Sequence, residues 1–177
     1  TTDLCRPSMN FKHCPNCAST NISMPESRYL ECRDCQFQHY HNVAAAVAGI
    51  IVYQDEVLIN IRAKAPGAGL WDLAGGFVDF NETLEQALSR EVKEELGIEV
   101  THWQYLCSGT NIYHYKAIDY HTADVIYYAE LEHKPKLCLD SSEVIDARWI
   151  KFSDIEFDQF AFQSLAQAMA IFLDKNN

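Results

Sequence analysis

Three glutamates, Glu91, Glu94 and Glu95, lie at spacings that would place them on one side of a helix. Like charges at these spacings destabilise a helix by a few tenths of a kcal/mol per pair, so their presence together indicates a cationic ligand. Mg²⁺ and Mn²⁺ prefer carboxylate oxygens and keep positions for water and substrate phosphate. Taken alone, however, the three glutamates are more typical of a solvated acidic helix face, because exposed charge is common.

The surrounding residues predict the helix that would carry these glutamates. Asn81 or Thr83 would cap its start, and Gly97 stands where a left-handed residue commonly ends a helix. Arg90 can hold Glu91 with a forked hydrogen bond, and Glu82 would bring a fourth carboxylate alongside. The opposite face carries the apolar stripe of a helix packed on a core, formed by Leu84, Ala87, Leu88, Val92 and Leu96.

The fixed positions of this stretch form a longer pattern. The pattern runs glycine, five residues, Glu82, seven residues, Arg90-Glu91, an apolar residue, a free position, Glu94-Glu95, a free position, Gly97 and Ile98. It resembles the Nudix box at every fixed position. The resemblance implies a Nudix hydrolase domain over residues 42–177, with an α/β fold in which a mixed sheet lies between helices. It also implies that the Gly75 carbonyl, Glu91, Glu94 and Glu95 hold Mg²⁺ or Mn²⁺, and that Arg90 orients a glutamate.

The N-terminal 41 residues contain two Cys-x-x-Cys pairs separated by fourteen residues. Two such turns can close a tetrahedron of thiolates around Zn²⁺, which would supply folding energy that a small core cannot. A redox pair is the alternative, although the surrounding alternation of strands and helices typical of such pairs is absent from this segment. We therefore predict a structural zinc ribbon over residues 1–41, with the ligands Cys14, Cys17, Cys32 and Cys35.

Composition narrows the classes of partner. The formal net charge of -11 argues against nucleic acid bound through a basic face. No apolar run reaches the length of a membrane span and no secretory leader is evident, so no membrane partner is expected. Seven cysteines, an odd number, suit a reducing cytoplasm with a metal site better than a disulfide framework. The ribbon is predicted to serve as a scaffold or as the contact of a homodimer.

The remaining chain predicts strands and a second helix. Residues 42–53 and 57–62 are expected to form a hairpin, and residues 100–108 and 123–131 further strands. Trp149-Ile150 would belong to another strand, and a mixed sheet between helices follows. The final helix would pack through Phe162, Leu165, Met169, Phe172 and Leu173.

Several residues beyond the box are candidates for the site. Tyr113, Tyr115 and Tyr120 could stack on a nucleobase, or they could be ordinary sheet surface. Glu130, at a strand end, is a candidate metal ligand because many Nudix enzymes use a downstream glutamate there. Glu143, in a polar loop, is a candidate for positioning or deprotonating the attacking water.

These observations predict an enzyme that cleaves the diphosphate bond of a small nucleotide. A zinc ribbon before a Nudix domain is similar to the arrangement of NADH pyrophosphatases, which makes dinucleotides the first substrate class. However, residues 108–115 read Ser-Gly-Thr-Asn-Ile-Tyr-His-Tyr, where that subfamily carries a Ser-Gln-Pro-Trp-Pro-Phe-Pro-like sequence. ADP-ribose and nucleotide sugars are therefore competing substrates. A non-catalytic module that senses a nucleotide is the alternative of a different class.

Overall fold

The computed structural model describes residues 11–25, 29–115 and 118–176, without the side chains of residues 115 and 118. The chain divides into two compact units at the bond between Val43 and Ala44. In the N-terminal unit, β1 (Ile22–Ser23), β2 (Tyr29–Cys32) and β3 (Gln38–Tyr40) form an antiparallel sheet in the order β1-β2-β3. Leu30 is fully buried there, but few other apolar residues join it, so the apolar core of this unit is small.

The C-terminal unit is built on a mixed sheet. The described strands have the order β10-β5-β4-β9-β8, with β6 beside β5 and β7 beside β4. Strands β4 and β9 run parallel from Ala44 to Val52, and the other described pairs are antiparallel. The strands are β4 (Ala44–Tyr53), β5 (Glu56–Arg62), β6 (Trp71–Asp72), β7 (Ala74–Phe77), β8 (Gln104–Tyr115), β9 (Ile118–Glu130) and β10 (Val144–Lys151), and the helices are α1 (Leu84–Leu96) and α2 (Gln163–Asn176).

The alternation of β4 shows why helices cover both faces of this sheet. Val47 and Ile51 point to the face that packs against α1, whereas Ala48 and Ile50 point to the face that packs against α2. Because successive side chains of a strand point to opposite faces, an unbroken apolar strand requires cover on both. The predicted sandwich of helix, mixed sheet and helix is therefore the observed architecture. Neither helix combines the length and apolar character needed to cross a bilayer within the described residues.

Helix α1 has the predicted apolar stripe and well-defined ends. Ala87, Leu88, Val92 and Leu96 are buried against the sheet. Of the two candidate caps, Thr83 is the one observed: its hydroxyl accepts from the Gln86 N–H at 3.2 Å, and the Gln86 side chain accepts from the Thr83 N–H at 2.9 Å. This reciprocal pair is a capping box. Gly97 ends the helix at φ 70°, as predicted.

Two consecutive glycines allow β7 to lie between β4 and α1. A Cβ on Gly75 would lie 2.1 Å from the Val47 carbonyl oxygen, and a Cβ on Gly76 would lie 2.5 Å from Glu91 Cδ. The backbone contact excludes a side chain at Gly75, and a side chain at Gly76 would have to displace the Glu91 carboxylate. The glycine pair therefore brings the backbone of β7 directly against the acidic face of α1.

The capping box gives a test of how firmly α1 is held. Replacing an N-cap threonine by alanine costs about 0.5–2 kcal/mol, so we expect Thr83→Ala to lower the free energy of unfolding by that amount. For a chain of this size, each kcal/mol corresponds to a melting shift of roughly 2–4 °C. The measurement is thermal unfolding followed by circular dichroism. Thr101→Ala is the matched control because Thr101 is exposed and lies outside the helix, and an equal shift in both variants would contradict the assignment.

Candidate functional site

Arg90 is the centre of the acidic surface of α1. Its Nε and one Nη donate to the two oxygens of Glu82, at 2.7 and 3.1 Å, and the second Nη donates to Glu91 at 2.8 Å and to Glu94 at 3.0 Å. It also donates to the Phe77 carbonyl of β7 at 3.1 Å. The forked pair predicted for Glu91 is thus made with Glu82, because Glu82 precedes the helix and meets the guanidinium edge-on. We call Glu82, Glu91, Glu94 and Glu95 with Arg90 the acidic cluster.

Glu95 turns away from Arg90 and into the protein. Its Oε2 accepts from the side-chain amide of Asn60 on β5 at 3.2 Å and from the Gly75 N–H at 3.4 Å. Glu94 is on the opposite side, with an exposed side chain. Glu91 and Glu94 therefore share one Nη of Arg90, whereas Glu95 points toward β5 and β7.

Burial changes the protonation behaviour of two members of the acidic cluster. Desolvation, with the charges of Asp72 and Glu91 added, raises the pKa of Glu95 to about 9. Desolvation also raises the pKa of Glu91, although the adjacent Arg90 opposes it. The Arg90 guanidinium has the reverse effect on Glu82, whose pKa it lowers. Glu95 and Glu91 are consequently carboxylates in surroundings that disfavour negative charge.

These surroundings fit a divalent cation. The acidic cluster holds four carboxylates and one guanidinium, which leaves negative charge in excess. Asn60 adds an oxygen atom beside Glu95 that could bind a cation. Its Oδ1 is buried and has no hydrogen-bond partner in the described structure. Hard cations bind such oxygens, and a bound cation would lower the raised carboxyl pKa values. Glu91, Glu94, Glu95 and the Gly75 carbonyl are the residues that would hold it.

A pocket lies on the other side of the same β7 backbone. Gly75, Gly76 and Phe77 form one wall of this cavity of about 110 Å³, and Asn111 and Tyr113 of β8 also line it. The cluster of carboxylates and the pocket thus share the glycine pair as a common boundary. A phosphate placed along β7 would reach both.

The predicted tyrosines have different positions. Tyr113 and Tyr120 are cross-strand partners on β8 and β9, and with Ala44 and Phe77 they line a second hollow of about 350 Å³. The Tyr113 ring meets the Phe77 ring edge-on, with centroids 5.8 Å apart. The side chain of Tyr115 lies outside the described residues. Stacking on a nucleobase stays a prediction for Tyr113 and Tyr120.

The two downstream glutamates also have different positions. Glu143 pairs with Lys64, and its negative charge contributes to the raised pKa of Glu95. Glu130 pairs with Val52, whereas Gly75 pairs with Ala48, four residues earlier on β4. At about 3.3 Å per residue, this register places Glu130 roughly 13 Å along the sheet from Gly75. The structure does not bring Glu130 to the cluster, and Glu130 is left out of the proposed ligands.

Polar residues that the motif did not include complete the site. Asn60 and Asp72 are cross-strand partners on β5 and β6, and Asp72 pairs with Arg62. Desolvation raises the pKa of Asp72, which the Arg62 charge partly offsets. Asp124 of β9 is buried at the pocket. Sequence offered one indication of Asn60, which interrupts an apolar run, but none of Asp124, whose strand contains other polar residues.

The four cysteines of the N-terminal unit converge. All four Sγ atoms lie within 4.8 Å of one another, with Cys14 and Cys35 3.7 Å apart and Cys17 and Cys32 3.6 Å apart. A tetrahedral site with Zn–S bonds of 2.3 Å requires sulfurs about 3.8 Å apart. The Asn16 amide at 3.6 Å and the Phe37 N–H lower the pKa of Cys35 to about 6, which favours a thiolate. The cysteines therefore fit zinc.

Comparison with known proteins adds relatives and structural neighbours. A family model described as NUDIX domain matches residues 43–170. A protein named NAD-capped RNA hydrolase NudC from Vibrio vulnificus (strain CMCP6) is 33% identical over 139 residues, which are 78% of this chain and 50% of that protein. Its namesake from Vibrio cholerae serotype O1 is 30% identical over 148 residues, or 84% of this chain and 52% of that protein. The chain spans about half the length of these curated relatives.

Two solved structures show the same fold at low sequence identity. A NUDIX hydrolase from Nitrosomonas europaea has a TM-score of 0.72 and 24% identity, and the alignment covers 93% of this chain and 92% of that one. The NUDIX domain of NrtR from Shewanella oneidensis, solved with ADP ribose, has a TM-score of 0.64 and 23% identity, with 78% and 91% covered.

The raised pKa of Glu95 predicts a pH-dependent stability. A carboxyl with a pKa of about 9 when folded and an ordinary value when unfolded stabilises the fold below its unfolded pKa. This contribution is lost as the pH rises through the folded value. We expect the protein dialysed free of Mg²⁺ and Mn²⁺ to lose thermal stability between pH 5 and pH 9, and Glu95→Gln to show a flatter profile. Added Mn²⁺ should raise the melting temperature of wild type more than that of the variant.

Glu99→Gln is the control for this profile, because Glu99 is exposed and pairs with Lys93 outside the cluster. Identical pH profiles for wild type and Glu95→Gln would contradict the burial of the Glu95 charge.

The cysteine geometry predicts one zinc ion per chain. We expect Cys17→Ser to lose most of the bound zinc, because three thiolates hold the ion less tightly than four. The measurement is elemental analysis of the purified protein. Cys138→Ser is the control, since Cys138 is exposed and lies outside the group of four. Equal zinc in both variants, or none in wild type, would contradict the site.

Proposed function

The chain belongs to the Nudix family, as its sequence predicted, and we propose that it hydrolyses the diphosphate bond of a nucleoside diphosphate joined to a second group. The products would be a nucleoside monophosphate and the other phosphorylated half. One observation carries the proposal: the acidic cluster and the pocket meet at the Gly75–Gly76 backbone. A substrate diphosphate lying along these glycines would have carboxylates on one side and space for its organic group on the other.

The residues of the site have separable tasks in this reaction. Mg²⁺ or Mn²⁺, held by Glu91, Glu94, Glu95 and the Gly75 carbonyl, would neutralise the diphosphate and lower the pKa of the attacking water. Arg90 fixes Glu82 and Glu91 against β7 and keeps the carboxylates in register with the glycines. Because Gly75 and Gly76 have no side chains, phosphate oxygens can approach their backbone closely.

The proton of the attacking water requires an acceptor. Glu91 and Glu143 are the two candidates, and the negative charge of each contributes to the raised pKa of Glu95. Glu91 lies against Gly76, where the diphosphate is placed. Glu143 is held at the rim by Lys64, which substrate phosphate can also attract. A general base must come within hydrogen-bond reach of the water, and the contact of Glu91 with Gly76 favours Glu91 for this task.

The substrate class follows from the pocket and from the relatives. NAD or NADH, ADP-ribose and nucleotide sugars all contain the required diphosphate. The relatives named NAD-capped RNA hydrolase support a dinucleotide. Their name also removes the ground for excluding nucleic acid, so the expectation drawn from net charge is not kept. Residues 108–115, which depart from the NADH pyrophosphatase sequence, form β8 and include the pocket residues Asn111 and Tyr113.

The N-terminal unit is proposed to be a zinc ribbon over residues 1–41, with the Nudix domain over residues 42–177. The convergence of its four thiols supports this assignment. A scaffold role or the contact of a homodimer remains our proposal for the ribbon. A purely sensing module is the less favoured alternative, because binding alone does not need the full set of box glutamates.

The function is tested by incubating the protein with Mg²⁺ or Mn²⁺ and a substrate panel. The panel contains NAD, NADH, ADP-ribose, UDP-glucose, a diadenosine polyphosphate, 8-oxo-dGTP and an NAD-capped RNA, with products separated by chromatography. We expect a nucleoside monophosphate from at least one diphosphate substrate. Turnover of none of them would favour the sensing module.

Glu95 supplies the matched activity prediction. Glu95→Gln keeps the shape of the side chain but removes its charge, so we expect kcat to fall by about 10²-fold or more with the fold intact. Glu99→Gln, on the exposed side, should keep wild-type kcat. The same Glu95 variant should be the more stable protein without divalent ions, and this opposition separates a role in the reaction from a role in folding. An unchanged rate would sink the assignment.

A further inference from the structure

Asp124 is a buried carboxylate that the acidic cluster does not include. Its side chain is 7% exposed and lies on the central part of β9. The Thr122 hydroxyl donates to its Oδ1 at 2.6 Å, and the Ser164 hydroxyl of α2 donates to its Oδ2 at 2.7 Å. Burial of a carboxylate is costly unless hydrogen bonds compensate it. Two hydroxyls from separate elements hold this carboxylate in a single orientation.

The neighbours of Asp124 in the sheet leave space above it. Its cross-strand partners are Ala46 on β4 and Gly109 on β8, the smallest side chains available. The missing side chain at Gly109 also lets α2 approach, since a Cβ there would lie 3.1 Å from Ser164 Cβ. Ala46 and Asp124 both line the pocket beside the glycine pair. The carboxylate is thus at the floor of a cavity that opens toward the proposed diphosphate position.

The distance from this floor to the diphosphate position suits a nucleoside. Asp124 pairs with Ala46, and Ala46 pairs with Phe77, which follows Gly76. Two strand spacings separate Asp124 from Phe77, or about 10 Å. A nucleoside whose phosphate lies at Gly76 spans this distance.

The carboxylate has acceptor capacity left for a ligand. A carboxylate offers about four lone-pair sites, of which two are used by the hydroxyls. Within the described residues Asp124 makes no ion pair. The Arg62 side chain in the same pocket pairs with Asp72 and lies over the Phe162 ring, 4.9 Å from its centre. Arg62 and Asp72 offset each other's charge in the same pocket. Neutral O–H or N–H donors suit the remaining sites.

We propose that Asp124 is a specificity-determining residue that accepts hydrogen bonds from neutral donors of the substrate nucleoside. This inference rests on the proposed function, whose diphosphate position it uses. The donors come either from the sugar hydroxyls or from the amine of the base. Both sources share the same chemistry, and a substrate without the donor would bury the remaining lone pairs of the carboxylate without a partner. Unsatisfied buried groups are a strong basis for rejecting an analogue.

The experiment measures binding by calorimetry in the presence of Mg²⁺ and needs no turnover. The ligands are ADP, 2′-deoxy-ADP and 3′-deoxy-ADP, which lack single hydroxyls, and IDP, which lacks the base amine. We expect wild type to bind ADP about 10- to 100-fold more tightly than at least one analogue. The weaker analogue identifies the donor as a sugar hydroxyl or as the base amine.

Asp124→Asn is the test variant, since its amide keeps the shape and can still bond to both hydroxyls, which donate and accept. We expect the preference to shrink to within about 3-fold, because the neutral amide keeps only one of the two acceptor oxygens and accepts more weakly than a carboxylate. Asp174→Asn, on the exposed end of α2, should keep the wild-type preference. Equal weakening of all four ligands would show a merely structural role and overturn the proposal.

Wild type alone also decides the matter if the variant does not fold. Failure of wild type to bind ADP, or equal affinity for all four ligands, would overturn the role of Asp124. Failure of the proposed function is a separate result: the preference would appear in binding while no member of the substrate panel is hydrolysed.

Discussion

The close approach of the β7 backbone to helix α1 is the constraint on which the rest of the structure depends. Glu91 lies where a side chain on Gly76 would be, and the Val47 carbonyl lies where a side chain on Gly75 would be. Because no bulk separates these layers, the backbone of one short strand lies between the carboxylates and the pocket. The apolar stripe of α1 fixes the helix on the sheet, and this packing holds the acidic face in place.

The carboxylates held beside β7 destabilise the folded protein when no metal ion is bound. Arg90 joins three carboxylates to the β7 carbonyl, but Glu95 lies beyond its reach and beside Asp72. Like charges in a poorly solvated place destabilise one another, and they favour any cation that enters. The same burial that raises the pKa of Glu95 would therefore favour a divalent ion at this site. Functional sites commonly contain such perturbed groups.

The two units are stabilised by different means. The C-terminal unit has two apolar layers, one on each face of its sheet. Among the described residues of the N-terminal unit, the buried apolar side chains are Leu30, Cys14 and Cys32, and the four thiols converge. Each Cys-x-x-Cys pair of the N-terminal unit ends in a tight turn. Ala18 and Gln36, each four residues after the first cysteine of its pair, have positive φ values of 59° and 61°. A metal cross-link can replace a core in so small a unit.

The sequence by itself determined the helix, its stripe and its final Gly97, because these are set by local periodicity and capping. It also determined the four thiols and the identity of the box residues, since their spacing is a property of one segment. Only the tertiary structure decided where side chains go once distant strands meet. It gave the guanidinium fork to Glu82, directed Glu95 toward Asn60, and placed Glu130 far along the sheet. It also joined Asp124 to Ser164, forty residues away. Strand register and packing between layers set these contacts, and neither is written in the spacing of a single segment.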